Sequence, residues 1–383
     1  MADALLLRGA RRVGSDLRDD VRVARGRVAA APGVGGRTIE LAGRWLLPGL
    51  VNALDVLDLS VFPPLGAPPF ASLYDWAGAA GADAGASRAA LAVALADRLF
   101  LGGLRNLLAG ATAVVHHHPY HRSLAREDFP VRVLSRYQFA DSPGRTPALR
   151  RTYRSSDRRI PWLVRVAEGT DSGARSELDL LSAANVLRQN TVILHGTGLR
   201  PEDAPRIAAA RAAVVWCPEA DRRLYGSTAP VAALRAAGVR VGLGSDSPAT
   251  GSRDALSNLA AARREGVLED ADLIALATVE SGAVGRLPVG ALEEGSVADL
   301  LAVDDLERWL GGDRSALALV LVAGRPAYGD PELLAAAGID GPQLTVDGTP
   351  RRLAAAHAAR LRALLKAHPA VSAATWLSGV RIP

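Results

Sequence analysis

Lysine is nearly missing: Lys366 is the only one, so almost all of the 45 basic residues are arginine. A Schiff-base lysine, a P-loop lysine or a carbamylated bridging lysine is therefore excluded from the first 365 residues. The single cysteine, Cys217, excludes a disulfide within the chain and any cysteine-based zinc finger. Its setting, Val214-Val215-Trp216-Cys217-Pro218, reads as a buried thiol at a strand end. No stretch of about 18 uncharged apolar residues exists, so no membrane span is expected. The first residues, Met1-Ala2-Asp3-Ala4-Leu5-Leu6-Leu7-Arg8, bring an acid at once and only three leucines, which is no signal peptide. A soluble, cytoplasmic protein is the expectation.

Hydrophobic residues make up 49% of the 383 and charged residues 22%, the balance of a folded chain. The formal charge of +5 is spread among Ala, Leu and Gly, and pairs such as Arg158-Arg159 and Arg351-Arg352 read as solvated faces. No nucleic-acid partner is expected. Residues 4–45 alternate short apolar runs with turns, as small antiparallel strands do. From about 46, buried apolar runs alternate with helical periods. The runs are Trp45–Val56, Ala111–Val115, Val131–Leu134, Trp162–Ala167, Thr191–His195, Ala212–Cys217 and Val239–Gly244. Helices are expected between them, among them Ser87–Leu108, Ser176–Arg188 and Ser252–Arg264. Seven strands can be placed, and an eighth is expected within Tyr137–Arg159. Short strands return over 290–330, and a helix is expected over Pro350–His368.

Several segments resemble the amidohydrolase superfamily in order and spacing. They are Leu46-Leu-Pro-Gly-Leu-Val-Asn-Ala53, Thr112-Ala-Val-Val-His-His-His118, Val164-Arg-Val-Ala-Glu-Gly169, Val192-Ile-Leu-His-Gly196, Leu243-Gly-Ser-Asp-Ser247 and Gly295–Val303. The resemblance spans about residues 4–325 and is nearest the branch of atrazine-chlorohydrolase-like and adenosine-deaminase-like aminohydrolases. It implies an α/β fold: a (β/α)8 TIM-like barrel over 48–285, with a small composite β-sandwich domain from 1–47 plus 286–330. Residues 331–383 are expected as a helical extension. It also implies a divalent ion held by His-x-His on the first strand, a fifth-strand His and an eighth-strand Asp, which activates water to hydrolyse a C–N bond.

Carried over by position, the His-x-His falls on Leu54 and Val56 and the fifth-strand His on Arg165. The Asp is kept as Asp246, the proton-shuttling Glu as Glu168 and the sixth-strand His as His195. Leu and Val have no lone pair to offer, and a guanidinium repels a divalent ion. Without the ion, Glu168 and Asp246 would be buried carboxylates with no counter-charge. Arg165 is therefore expected at the vacated position, paired with one or both acids, with Leu54 and Val56 filling the freed volume. Each of these residues also has a plain structural reading: Glu168 as a loop cap, His195 as a core histidine, Asp246 as the N-cap of the helix near Ser252. Four of seven histidines crowd into His116–His121; His116 and His118 are expected on one face at a strand end, as substrate contacts. Phe62, Phe70, Tyr74 and Trp76 are expected to wall a pocket, and Cys217-Pro-Glu-Ala-Asp221 departs from the family's Cys-Pro-x-Ser-Asn.

The expected function is a degenerate member of this superfamily, without cofactor. It would bind a small molecule, or pair as a homodimer or with an active relative. Two alternatives stay open. One is a metal-free hydrolase using Glu168 as acid/base, Arg165 as anion binder and His195 as proton donor. The other is a hydrolase with weakly bound zinc moved to His116, His118, His195 and Asp246.

Overall fold

The computed structural model describes residues 4–13, 18–29, 36–146, 148–154 and 157–382. Five strands come first: β1 (Leu5–Arg12), β2 (Arg18–Ala24), β3 (Arg27–Ala29), β4 (Arg37–Glu40) and β5 (Trp45–Pro48). Eight parallel strands follow: β6 (Leu50–Asp55), β7 (Ala111–His116), β8 (Arg132–Val133), β9 (Gln138–Ala140), β10 (Trp162–Val166), β11 (Thr191–His195), β12 (Ala213–Trp216) and β13 (Arg240–Leu243). The last six are β14 (Leu300–Val303), β15 (Leu317–Val322), β16 (Arg325–Gly329), β17 (Gln343–Val346), β18 (Thr349–Leu353) and β19 (Val380–Arg381).

The apolar run Trp45–Val56 is not one strand. Trp45–Pro48 pairs with β14, while Leu50 onward pairs with β7. Gly49 sits at the joint, where a Cβ would run into Thr112. Periodicity cannot mark such a break, because both halves are buried on both faces.

The parallel strands form two sheets, β6-β7-β8 and β9-β10-β11-β12-β13. Their far edges meet where Val56 N–H donates to Asp246 O (2.8 Å) and Asp246 N–H to Leu54 O (3.0 Å). At the other edge β8 runs on into β9 through residues 134–137. Parallel neighbours need a crossover of about a dozen residues, so these two short strands lie end to end. Leu134 N–H still bonds Val114 O, and Gln138 N–H already bonds Pro161 O. Gln138–Ala140 falls in the region where the eighth strand is expected, but it continues β8 with no helix between and does not stand beside it as a separate strand. The connection 117–131, from β7 to β8, also carries only one 3-10 turn, Arg122–Ala125.

Inside the strands lies an apolar cluster of Leu54, Leu163, Val192, Leu194, Ala213, Val215 and Cys217 among others. Outside, helices such as Leu95–Leu108 and Ser172–Ala183 cover the opposite faces. The terminal strands make one eleven-stranded sheet that joins both ends of the chain through β5-β14. Residues 331–383 are not only helical: β17, β18 and β19 belong to that sheet. Asp347 (φ 48°) and Gly348 (φ 84°) make the two-residue hairpin turn between β17 and β18, so the expected helix begins only at Ala355.

Candidate functional site

The C-terminal ends of β6, β10, β11 and β13 converge on one guanidinium. Arg165 leaves β10 into the barrel centre. Its Nη1 donates to both Glu168 oxygens (2.9 and 3.1 Å), and its Nη2 donates to Asp246 Oδ1 (3.0 Å). The His195 Nε2 stands 3.0 Å from Nη1. Arg165 is 7% exposed, Glu168 1%, and His195 and Asp246 0%, so the charges are sealed from water. Leu54 and Val56 are buried beside them; a Cβ on Gly244 would come within 2.6 Å of that of Leu54. The expected pairing of Arg165 with both acids is therefore present in the geometry.

Two of these side chains depend on backbone that L-residues seldom adopt. His195 (φ 67°) and Asp246 (φ 55°) are left-handed at their strand ends. Each such residue costs on the order of 1–3 kcal/mol, a strain held by the surrounding bonds. Asp55, between Leu54 and Val56, points out of the barrel. It accepts from Arg105 Nη2 (2.6 Å) and Asn106 Nδ2 (2.6 Å), which anchors β6 to the helix Leu95–Leu108. Burial outweighs these partners and lifts its carboxyl to about 6.

Three partners were not foreseen. Asp221 Oδ1 lies 2.7 Å from His195 Nδ1, and its Oδ2 accepts from Thr228 Oγ1 (3.1 Å). Tyr225 donates to Glu168 Oε1 (2.9 Å). Asp221 and Tyr225 stand on the helix Pro218–Tyr225, which follows β12 directly. Only Asp221 left a trace in sequence, at the Asn position of the Cys-Pro-x-Ser-Asn pattern. Burial alone would lower the His195 imidazole, yet Glu168 and Asp221 hold its pKa well above the usual histidine range. Burial likewise opposes Asp246 ionisation, and Arg165 with His195 overcomes it, keeping that carboxyl low. Asp246 Oδ2 lies 3.6 Å from His195 Nε2 and has no hydrogen-bond partner. Cys217 is buried as expected, its thiol pushed up to about 11 by burial. Asp246 is not the cap of the next helix; Asp254 is, accepting from Ser257 N–H (2.8 Å).

His116 and His118 do not join this cluster. Their rings turn to Asp58, with His118 Nδ1 at 2.9 Å and His116 Nε2 at 3.9 Å. Burial lowers His116 to about 4. The middle histidine, His117, faces inward instead: it packs on Phe139 and is pushed well below its ordinary value by burial and then by Arg165. The set His116, His118, His195 and Asp246 is thus not assembled. Among the described residues, no three or more His, Cys, Asp or Glu side chains are placed to hold a metal ion. Phe62 is core, Tyr74 bonds Glu177 and Ser142, and Trp76 donates to Leu65 O, so these rings serve internal packing.

A family model described as "Amidohydrolase family" matches residues 163–329. A 5-methylthioadenosine/S-adenosylhomocysteine deaminase of Pyrococcus abyssi is 27% identical over 186 residues, 45% of this chain and 43% of that protein. The match therefore spans under half the length of this curated relative. Two solved structures superpose with a TM-score of 0.66: an adenosine deaminase from Xanthomonas campestris with bound zinc and a triazine hydrolase from Arthrobacter aurescens. They are 18% and 19% identical and cover 85% of this chain and 92% and 94% of theirs. Over residues 163–329 this chain matches the amidohydrolase family.

Its fold is accordingly TIM-barrel-like α/β. The zinc centre that an amidohydrolase implies does not fit the residues present. Two of the four carried-over ligand positions are aliphatic, and the third is a cation already bonded to the fourth, Asp246. A catalytic zinc needs about three protein donors, and one carboxylate remains.

Proposed function

We propose that this protein does not carry out metal-assisted C–N hydrolysis and serves as a binding protein, taking a small molecule or a partner subunit. The observation that carries the reading is the Arg165 guanidinium lodged among Glu168, His195 and Asp246, with every member sealed from water. A hydrolase needs water and substrate at its carboxylates; here both Glu168 oxygens and Asp246 Oδ1 are taken by Arg165 and Tyr225. In the same reading the parallel strands close into one barrel, and 1–47 with 286–330 form the composite β domain beside it.

The test has two parts. Untagged protein analysed for metal is expected to carry less than a tenth of an equivalent of zinc, iron or manganese. It is expected to release no ammonia from 5-methylthioadenosine or S-adenosylhomocysteine, the compounds for which the curated relative is named. The triple variant Leu54→His, Val56→His, Arg165→His is expected to gain stoichiometric zinc. Stoichiometric metal in the unaltered protein would overturn the reading.

A second reading rests on the unpartnered Asp246 Oδ2 beside His195 Nε2. It makes the chain a metal-free hydrolase, with Glu168 and His195 moving the proton. Metal-free turnover that disappears in Glu168→Gln would establish it in place of the first.

A further inference from the structure

A cleft lined by residues of the β2-β3 turn, the segment 120–135 and the β15-β16 hairpin contains none of the Arg165 cluster. Its volume is about 1160 Å³, above the roughly 300–1,000 Å³ of ordinary small-molecule sites. Its origin is topological. A crossover helix would normally cover the outside of β7 and β8, but the connection 117–131 supplies only one 3-10 turn. The uncovered trench runs between that segment, the β2-β3 turn, the β15-β16 hairpin and the helix Ala355–Ala367.

The walls and the rim differ in chemistry. Leu5, Leu124, Phe129, Val297, Pro326 and Ile339 give it apolar sides. Arg126 and Arg325, at its edge, are neutralised by Asp128 and Glu127. Arg25 and Arg27 are not. Arg27 donates to a neutral carbonyl, Gly295 O (2.7 Å), and Arg25 has no carboxylate partner among the described residues. Both flank Gly26, whose turn packs against the β15-β16 turn so tightly that a Cβ on Gly26 would lie 2.9 Å from Ala323 O. Arg25 itself is held at φ 53°, a left-handed position that hairpin turns usually give to Asn or Gly. The turn thus places two arginines without a carboxylate partner among the described residues at the mouth of the trench. Deeper in, Arg132 Nε and the fully buried Asp299 Oδ2 face each other at 3.4 Å, and neither makes a hydrogen bond.

We propose that this trench is a binding site for a small amphipathic anion, an apolar body with one carboxylate head. The walls take the body. Arg25 and Arg27 take the head, because a guanidinium meets a carboxylate with two parallel hydrogen bonds. The site is independent of what the barrel centre does.

Dodecanoate is a suitable probe, titrated calorimetrically into the full-length protein at fixed ionic strength. One saturable site is expected. The double variant Arg25→Ala, Arg27→Ala, both exposed positions, should weaken binding at least tenfold, and dodecanol should lose as much on the unaltered protein. Val322→Trp, which fills the trench from a half-buried wall position, should abolish binding. Circular dichroism checks that each variant is folded. Unsaturable heat with folded protein, or equal affinity in the wild type and the double-arginine variant, overturns the proposal.

Discussion

Arg165 is the residue on which the barrel centre turns. It faces two buried carboxylates at 2.9–3.0 Å, and removing one partner of such a set strands the others. Breaking a buried pair in this way costs about 3–5 kcal/mol. Arg165→Met is therefore expected to lose that much stability by urea unfolding, although the volume is nearly kept. A second residue-scale test concerns Glu177, under the barrel mouth, which accepts from Tyr74 and from Ala167 N–H (2.8 Å). Burial raises its carboxyl to about 7 from an ordinary 4.5. The folded protein thus holds this proton more tightly than the unfolded chain. The stability it brings is full below the unfolded value and is lost as pH rises from about 4.5 to about 7. Glu177→Gln should flatten the fall in unfolding free energy over that window by about 2–3 kcal/mol. An unchanged slope would place the titration elsewhere. The pairing of Arg165 with Glu168 and Asp246 was legible because strand-end positions are fixed in sequence and buried acids need a counter-charge. Tyr225 and Thr228 were not, because nothing local in sequence relates the segment after β12 to side chains on β10 and β11.

At the scale of elements, the sequence failed where burial was uniform. Trp45–Val56 reads as one strand because both faces of both halves are apolar, yet Gly49 divides it between two sheets. Gly49→Ala should be destabilising by about 1–3 kcal/mol through overpacking against Thr112, measurable as a lowered unfolding midpoint; an unchanged midpoint would show that the joint can yield. The histidines turn on the phase of the alternation, which uniform burial in β7 hides. His116 and His118 are expected on the site face, but Val115 packs inside the strands and Val114 outside, so the same alternation carries His117 inward and leaves His116 and His118 facing Asp58. The Asp347-Gly348 dipeptide marks a hairpin turn, but the helical pattern after Pro350 is the stronger signal and masks the strands on either side of it.

Across the whole molecule the two chain ends are joined in one sheet, and the last turn is pinned back onto the barrel. Trp376 is fully buried and donates to Ser60 O (2.9 Å) in the loop after β6, while Arg314 donates to Trp376 O and Ser378 O (2.6 Å each). Trp376→Ala should cost about 3–5 kcal/mol and expose the 57–72 loop to limited proteolysis; resistance equal to the wild type would show the C-terminus to be a passive cover. The rims of β10, β11 and β13 are fastened together at the centre by Arg165. Such a fastener is made on the ribosome with the rest of the chain. On the proposed reading, in which no metal is seated there, maturation of the protein would be indifferent to the mineral supply of the cell.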